Sequence, residues 1–397
     1  MFRSLMILLF CCLPALSNAQ DAPRTGLVLS GGAARGLAHI GVLKALEEQG
    51  VRIDAIAGTS MGAVIGGLYA SGYTVAELEQ LARTLDWRQV LSDDPPRPDV
   101  PFRRKQDDRD FLVKRKLSFR DDGSLGLPLG VIQGQNLALL LERLLVHVSD
   151  TRDFDRLPIP FRAVATDIAN DQKVIFRSGH LPQAIRASMS IPAVFAPVEI
   201  EGRLLVDGGM VDNIPMDVAR DMGVDRLIVV DIGTPLMPRD ELLTVVDVLN
   251  QSITMMTRRN SEAQLATLRS EDLLIQPPLA AYGSTDFGST EQLMDAGYRA
   301  TRALEGRLAD WRSPTGGNPA LTLARSAEPR APVITAIRIE NDSKVSDAVI
   351  RRHIRQPLGE PLDLGDLQKD MGTLYGLDYF EQVEYRVEHG RSGNTLV

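Results

Sequence analysis

The chain has 397 residues, of which 44% are hydrophobic and 24% charged, a composition that fits a globular protein with a large core. The length predicts two or three domains rather than one. A formal net charge of −8 gives no electrostatic support for a nucleic-acid-binding function.

The N-terminus, residues 1–19, is predicted to be a secretory signal peptide rather than part of the fold. A positively charged start is followed by the short apolar run Leu5–Leu13 and by small residues that end at Ala19. Both cysteines, Cys11 and Cys12, lie in this segment, so the mature chain is expected to have neither a disulfide nor a thiolate metal site. A lipid-modified Cys12 is disfavoured because the residues before it are not small.

Two strand–turn–helix units follow the leader. Arg24–Ser30 predicts a buried strand, and the glycine-rich turn Gly31–Gly36 leads from it into a helix over Leu37–Gln49. The second unit has a strand at Ile53–Ala57 and a helix of small residues that continues to Ala70. Successive units of this kind predict an α/β fold, in which helices cover the faces of a parallel sheet.

The second unit contains Gly58-Thr59-Ser60-Met61-Gly62, the pattern of a nucleophile elbow. Gly58 and Gly62 would let helix and strand pass closely, and the turn would hold Ser60 at a strained backbone angle. The hydroxyl would then project at a helix N-terminus, where N–H groups stabilise developing negative charge. The competing interpretation is a tight turn whose serine only caps a helix. The strand before it and the helix after it favour a catalytic serine.

The rest of the N-terminal region alternates between helix and strand patterns. Thr74 and Glu77 form a capping box that predicts a helix over Thr74–Leu85. The remaining predicted helices are Gln133–His147, Leu181–Ser188, Asp217–Met222, Leu242–Leu268 and Thr290–Leu308, and the remaining predicted strands are Phe161–Asp167, Lys173–Ser178, Arg203–Val206, Arg226–Asp231 and Asp272–Gln276. Met255 and Met256 on the longest helix are interpreted as core residues.

Asp93–Gly130 interrupts this alternation with proline, arginine and aspartate. Its basic residues, such as Arg103 and Arg104, are interleaved with aromatic ones. A solvated excursion or hairpin is favoured because nearby aspartates dilute the charge. A lid or a membrane-surface contact beside the site is the alternative.

Ser313–Ala331 is rich in proline and glycine and predicts a linker. Beyond it, a strand, two helices and a strand predict a compact βααβ module of roughly sixty residues, a size that can fold alone. The predicted elements of this module are Ile334–Ile339, Ser346–Ile354, Leu364–Leu374 and Phe380–Val387.

The base that would activate Ser60 is not expected to be a histidine. The chain has His39, His147, His180, His353 and His389. The first two sit on apolar helices, and the last two lie beyond the predicted linker. His180 stays open, although it precedes the acidic candidates that an elbow hydrolase usually places before its histidine.

A carboxylate can accept the serine proton directly if its surroundings are partly desolvated. Asp207 is the best candidate, because it ends a predicted strand and precedes Gly208 and Gly209, where the backbone can approach another loop. Taken alone, the pattern would favour a simple Asp-Gly turn. Its combination with an elbow and a glycine-rich turn favours a catalytic aspartate.

The Gly31–Gly36 turn could direct backbone N–H groups at the oxygen of a tetrahedral intermediate, where each donor can be worth about 10²–10³ in turnover. A dinucleotide-binding loop is the competing interpretation. It is disfavoured because Ala33 replaces the middle glycine of that motif.

Four blocks in the same order resemble the patatin-like phospholipase family. They are Ser30–Gly36, Gly58–Gly62, Ala187–Pro197 and Asp207–Gly209, within a region of roughly Thr25–Leu308. The resemblance implies a three-layer α/β/α domain with a mainly parallel sheet over residues 24–311. It also implies a dyad of Ser60 as nucleophile and Asp207 as base, with no metal or cofactor.

The same resemblance implies that the oxyanion hole is built from the glycine-rich turn. The residues concerned are Gly31, Gly32, Ala33, Arg35 and Gly36. Ala33 departs from the glycine that the family often has. An alanine keeps the N–H, so the hole should survive unless that position needs a positive φ.

Residues 332–397, after a linker at 312–331, resemble a POTRA domain, a small α+β fold. Exported patatin-like proteins with this module usually continue into an outer-membrane β-barrel, so the chain is either part of a longer product or a form without the barrel. The implied function is phospholipase A or esterase hydrolysis of phospholipids or other acyl esters, through a covalent acyl-enzyme at a membrane surface. The implied location is the bacterial periplasm, the outer membrane or the exterior. The alternative is a periplasmic binding or assembly factor whose patatin-like domain is inert.

Overall fold

The computed structural model describes residues 23–94, 118–119, 125–126, 130–314, 316–326, 331–377 and 379–397. The predicted signal peptide lies outside the described residues, as does most of Asp93–Gly130 with Arg103, Arg104 and Lys105. Both predictions therefore stay predictions.

The chain order of strands and helices follows the alternation that the sequence predicts. The strands are β1 (Thr25–Leu29), β2 (Ala55–Thr59), β3 (Ser118–Phe119), β4 (Leu125–Gly126), β5 (Gly130–Ile132), β6 (Phe161–Asp167), β7 (Gln172–Phe176), β8 (Ala193–Phe195), β9 (Val198–Ile200), β10 (Arg203–Asp207), β11 (Arg226–Val230), β12 (Leu273–Ile275), β13 (Val333–Ile337), β14 (Glu360–Pro361), β15 (Val387–Gly390) and β16 (Gly393–Leu396). The α-helices are Ala38–Glu48, Met61–Ala70, Val75–Thr84, Trp87–Val90, Gln135–Leu145, Leu181–Ser188, Met216–Arg220, Val245–Leu265, Thr290–Arg302, Glu305–Leu308, Pro319–Ser326, Asp347–His353 and Leu364–Gly376.

An eight-stranded sheet organises the N-terminal domain, in the order β12-β11-β1-β2-β6-β10-β9 with β7 also paired to β6. The five strands from β12 to β6 are parallel, whereas β7, β9 and β10 pair antiparallel. Every residue of β1 and β2 is buried, as expected for strands that helices cover on both faces. The α/β class with a mainly parallel sheet is confirmed.

Strand register brings the ends of β2 and β10 to one level of the sheet. Thr59, the last residue of β2, pairs with Val164 of β6, so Ser60 follows at the level of Ala165. Asp207, the last residue of β10, pairs with that same Ala165 on the edge of β6 that β2 also occupies, because β7 fills the opposite edge. The ends of β2 and β10 therefore meet along one edge of β6, which places Ser60 beside Asp207 although 147 positions separate them (207 − 60).

The C-terminal domain forms its own four-stranded sheet, in the order β14-β13-β16-β15. Residues 380–386, predicted as strand, are not in a strand, and the last hairpin instead pairs β15 with β16. Its turn is Gly390–Gly393, where Gly393 takes a φ of 123° that other residues avoid. The two glycines therefore indicate where the hairpin lies, whereas the alternation of apolar and polar residues before them does not.

One helix lies in the predicted linker, and one prediction about a helix face is wrong. The predicted linker contains the helix Pro319–Ser326, whose Leu321 is buried, and Arg325 forms an ion pair with Glu47 at 2.9 Å. Met255 and Met256 are not core residues, since 43% and 46% of their surfaces are exposed. Their helix, Val245–Leu265, buries Ser261 instead.

Candidate active site

Ser60 lies in a strained turn between β2 and the helix Met61–Ala70. Its φ of 54° and ψ of −124° are unusual for a residue with a side chain, and its surface is only 4% exposed. A Cβ at Gly62 would lie 2.2 Å from the Leu29 carbonyl oxygen, and one at Gly58 would lie 2.5 Å from the Gly62 oxygen. Both glycines are therefore needed for the helix to start this close to the sheet.

A second serine holds the backbone of the elbow. The Ser60 N–H donates to Ser188 Oγ at 2.9 Å, and the Ser188 hydroxyl donates to the Val164 carbonyl at 2.5 Å. Ser188 is the last residue of the helix Leu181–Ser188 and is fully buried. It therefore connects the elbow to β6 through one side chain.

Asp207 faces Ser60 from the end of β10. Asp207 Oδ1 accepts the Gly209 N–H at 2.7 Å, and the Ser60 side chain lies close enough to the carboxylate to stabilise its charged form. Burial raises the pKa of Asp207 to about 6, and these two neighbours oppose the rise. Ser190 fixes the strand end, because its carbonyl accepts the Asp207 N–H at 2.9 Å. A buried carboxylate with a serine hydroxyl as its partner is the arrangement that general-base catalysis needs.

Two asparagines connect the loops around this pair. Asn260 Nδ2 donates to the Gly209 carbonyl at 2.8 Å, and Asn260 Oδ1 accepts the Asn213 N–H at 3.0 Å. The Asn213 carbonyl accepts the Gly31 N–H at 3.3 Å. The Asp-Gly-Gly loop, the glycine-rich turn and the Val245–Leu265 helix therefore converge beside Ser60.

Two known protein families match separate parts of the chain. The family described as patatin-like phospholipase matches residues 27–220, and the POTRA family, described as surface antigen variable number repeat, matches residues 332–397. The chain contains a patatin-like phospholipase domain and a POTRA domain.

Relatives of the patatin-like domain come from distant organisms. An uncharacterized NTE family protein of Mycobacterium tuberculosis is 35% identical over 216 residues, 54% of this chain and 51% of the relative. Patatin-like phospholipase domain-containing protein 6 of Homo sapiens is 29% identical over 317 residues, 73% of this chain and 21% of the relative. Lysophospholipase nte1 of Aspergillus fumigatus is 30% identical over 301 residues, 69% of this chain and 18% of the relative. The chain thus spans about half or less of the length of these relatives.

Among solved structures, VipD from Legionella pneumophila aligns with a TM-score of 0.41 and 16% identity, over 72% of this chain and 67% of VipD. ExoU, in its complex with SpcU from Pseudomonas aeruginosa, aligns with a TM-score of 0.35 and 17% identity, over 72% of this chain and 52% of ExoU.

The glycine-rich turn of the patatin-like domain has two backbone N–H groups that no described residue accepts, those of Gly32 and Ala33. The N–H of Gly31 donates to Asn213, as described above, and that of Arg35 donates to the Gly32 carbonyl at 3.1 Å. Gly36 contributes in another way, because a Cβ there would lie 2.2 Å from Met61 Cγ. The turn therefore packs directly against the first residue of the elbow helix.

Ala33 has a φ of 48°, so this position does take the left-handed conformation that glycine adopts freely. The neighbouring Arg35 is only 4% exposed, and burial lowers its pKa against the attraction of Asp231. Its Nε and Nη1 have no hydrogen-bond acceptor among the described residues.

The histidines of the patatin-like domain are bound elsewhere. His39 is buried, its Nε2 lies 2.9 Å from the Ser30 carbonyl, and burial lowers its pKa to about 4. His147 Nε2 lies 3.1 Å from the Ser71 carbonyl. His180, the open candidate, lies 3.3 Å from Glu142. In the nearby carboxylate of Asp212, Oδ2 accepts from Lys173 at 2.9 Å, whereas buried Oδ1 has no hydrogen-bond partner among the described residues.

Sequence reasoning identified Ser60 and Asp207 but missed three residues around them: Ser188, Asn213 and Asn260. Ser188 lies in the Ala187–Pro197 block, which is a signal that could have found it. Asn213 and Asn260 have no pattern of their own. No cluster of three or more metal-binding side chains occurs in the described part of the chain.

Proposed function

We propose that the chain is a lipid acyl hydrolase, a phospholipase A or esterase, that works through a dyad of Ser60 and Asp207. The position of the Ser60 side chain beside the buried Asp207 carboxylate, fixed by the strand ends on one edge of β6, carries this proposal. The patatin-like domain and the lysophospholipase among its relatives support a carboxylic ester of a lipid as the substrate.

In the first half of the reaction, Ser60 Oγ attacks the ester carbonyl carbon while its proton moves to Asp207. The electron pair of the carbonyl bond moves to its oxygen, and the free N–H groups of Gly32 and Ala33 stabilise this oxyanion. When the intermediate collapses, the C–O bond to the alcohol breaks. Asp207 returns its proton to that leaving alcohol, and an acyl group remains on Ser60.

In the second half, a water molecule gives a proton to Asp207 and attacks the acyl carbon. Collapse of this second intermediate breaks the bond to Ser60 Oγ, which takes the proton back, and the fatty acid leaves. A pKa of about 6 leaves Asp207 ionised at neutral pH and more basic than an exposed aspartate. A single carboxylate can therefore serve both half-reactions.

The setting proposed for this activity is a bacterial envelope. A POTRA domain fits a periplasmic or outer-membrane location, and the predicted leader at residues 1–19 would export the chain. Membrane phospholipids would then be the nearest acyl esters. A longer form with a β-barrel stays a hypothesis.

The test is ester hydrolysis by the purified chain and by the variants Ser60→Ala and Asp207→Asn. Each should lower turnover by roughly 10³-fold or more, as expected when one member of a catalytic unit is removed. Ser270→Ala, which changes an exposed serine, serves as the matched control and should keep parental activity.

Activity that survives both substitutions in folded protein would contradict the dyad. A parent chain that hydrolyses no ester of any acyl length would favour the alternative of a periplasmic binding or assembly factor with an inert patatin-like domain. Circular dichroism of each variant separates a lost reaction from a lost fold.

A further inference from the structure

The helix Val245–Leu265 has its polarity reversed relative to an ordinary surface helix. Such a helix normally turns its apolar stripe to the core. Here Ser261 is the one buried residue, while apolar side chains of the first half are exposed by 43% to 81%. These are Leu243 just before the helix, and Val245, Val246, Val248, Leu249, Met255 and Met256 within it. At about 100° per residue they occupy roughly half of the circumference, and we call them the apolar face.

The polar side of the helix is turned to the protein. Gln251 accepts the Met237 N–H at 2.9 Å and donates to the Met237 carbonyl at 3.2 Å. Gln264 Nε2 donates to Asp217 at 3.0 Å. Hydrogen bonds therefore attach the helix, and within the described residues the apolar face stays uncovered.

The apolar face lies next to the candidate active site. Asn260 donates to the carbonyl of Gly209, in the loop that follows Asp207. Met256 lies one helical turn before Asn260, about 6 Å along the axis. Whatever covers the apolar face is thus held close to the catalytic pair.

We propose that the apolar face rests in the surface of a lipid bilayer and brings the site to its substrate. The choice of lipid as the partner rests on the proposed function. The new element is the surface that contacts the lipid. Asp247 is the one charge between Leu242 and Thr257, and its carboxylate is occupied in a capping box with Thr244. An uncharged aliphatic face on a helix that lies flat is suited to the boundary between headgroups and acyl chains.

The charge around the face indicates the kind of lipid. The exposed charges that flank it nearly balance, because Asp240 and Glu241 are offset by Arg239 before the face and by Arg258 and Arg259 after it, so neither an anionic nor a cationic surface is favoured. Binding to zwitterionic phosphatidylcholine should therefore be insensitive to salt. No helix in the described ranges has the length and apolar character to cross a membrane.

A second copy of the chain fits this face less well. The stretch from Leu243 to Met256 is about 20 Å long and one helix of about 10 Å wide, a footprint of roughly 200 Å². Stable protein interfaces bury roughly 800 Å² on each partner. A bilayer needs no such area, because it can surround each exposed side chain separately.

The experiment measures co-sedimentation of the full chain with phosphatidylcholine vesicles, in the Ser60→Ala background so that no lipid is consumed. Adding Leu249→Gln and Met256→Gln should weaken vesicle binding by about tenfold or more, because two aliphatic side chains lose their burial. Leu323→Gln is the matched control, since Leu323 is 75% exposed on a different helix, and it should bind as the parent does. With Ser60 intact, the double variant should hydrolyse a short soluble ester within about twofold of the parent rate, because neither side chain touches the dyad.

Vesicle binding that is absent from the parent, or equal in the double variant, overturns the proposal. So does a parent dimer that the double variant converts to monomer with vesicle binding unchanged, since a second copy would then cover the face. Failure of the proposed function looks different, because vesicle binding would still depend on Leu249 and Met256 while no ester is cleaved.

Discussion

The elbow around Ser60 and the helix beside it differ in how tightly surrounding residues hold them. We call the elbow and the glycine-rich turn that packs against it the fixed region. Ser60 is buried, and its backbone, its side chain and the start of its helix are each held by a separate partner. The helix Val245–Leu265 buries a single residue and is attached through polar side chains. The comparison indicates that the strained backbone at Ser60 persists because several contacts hold it. The apolar face of the helix stays exposed because few contacts reach it.

The largest expected effect comes from Gly62→Ala, which tests the fixed region. The added Cβ would lie 2.2 Å from the Leu29 carbonyl, which belongs to a central strand and cannot move aside. We expect a loss of about 3 kcal/mol or more in the free energy of unfolding, the upper range for overpacking. Denaturant titration measures it.

Gly306→Ala is the control for that change. A Cβ at Gly306, in a short helix, would meet nothing within 4 Å. Alanine is the better helix former, so this variant should gain up to about 1 kcal/mol. Equal stability of the two variants would mean that helix and strand do not pass as closely as described.

The second prediction concerns the pH dependence of stability. The pKa of Asp207 is about 6 in the folded chain, against 3.8 for a free aspartate, so the folded state holds this proton more tightly. Stability should therefore fall as pH rises from about 4 to about 6, by about 3 kcal/mol for a rise of this size. Asp207→Asn should abolish this part of the slope in denaturation midpoints measured across that range.

Asp207 also sets the pH dependence of activity, but in the opposite direction: a higher pH lowers stability and raises turnover. Only ionised Asp207 can accept the Ser60 proton, so turnover should decline as pH falls below about 6. A declining limb near pH 4 would indicate a solvated carboxylate and contradict the burial described for Asp207. Asp167→Asn, which changes the carboxylate at the end of β6 that accepts the Ala169 N–H, should leave the position of that limb unchanged.

Much of the site could be predicted because its signals are local. Gly58, Ser60 and Gly62 form one short pattern, and Asp207 ends a strand pattern before two glycines. The strand order then brings them together without further information. Ser188 and Asn260 could not be predicted from residue type, because their partners lie between 24 and 128 positions away.

The interpretation of Met255 and Met256 failed for a different reason. Periodicity shows that a helix has an apolar side, but it does not show which side faces the protein. Polar contacts of Gln251 and Asn260 decide that orientation here, and each of them needs a partner from another part of the chain. The hairpin of β15 and β16 was also missed. Apolar and polar residues alternate more clearly before this hairpin than within it, so the predicted strand was placed too early in the chain.

Ser188→Ala is the fourth prediction and tests how the backbone of the elbow is held. It leaves the Ser60 N–H and the Val164 carbonyl unpaired, a cost of about 1–3 kcal/mol. If Ser188 positions the nucleophile, turnover should fall by about 10–10²-fold, since small displacements of reacting groups have effects of that size. The control is Ser71→Ala, because the hydroxyl of buried Ser71 donates to the Leu68 carbonyl of the preceding helix turn and to no other described residue.

The two serine variants should differ in activity and not in stability. A purely structural role for Ser188 predicts similar destabilisation of both, with parental turnover by the folded fraction. Steady-state kinetics at a temperature where both variants are folded separates the two cases.

The smallest effect is expected from Ala33→Gly. Ala33 has a φ of 48°, which costs an alanine about 1–2 kcal/mol relative to glycine, while glycine loses about 0.4–1 kcal/mol through the freedom of its unfolded chain. The variant should therefore be more stable by about 0.5–1 kcal/mol, and it keeps the N–H that the proposed oxyanion hole needs. Ala34→Gly, one residue later in a 3₁₀ turn without positive φ, should instead lose stability. If both changes destabilise equally, the turn is not strained at Ala33, and the fixed region would tolerate alanine there without cost.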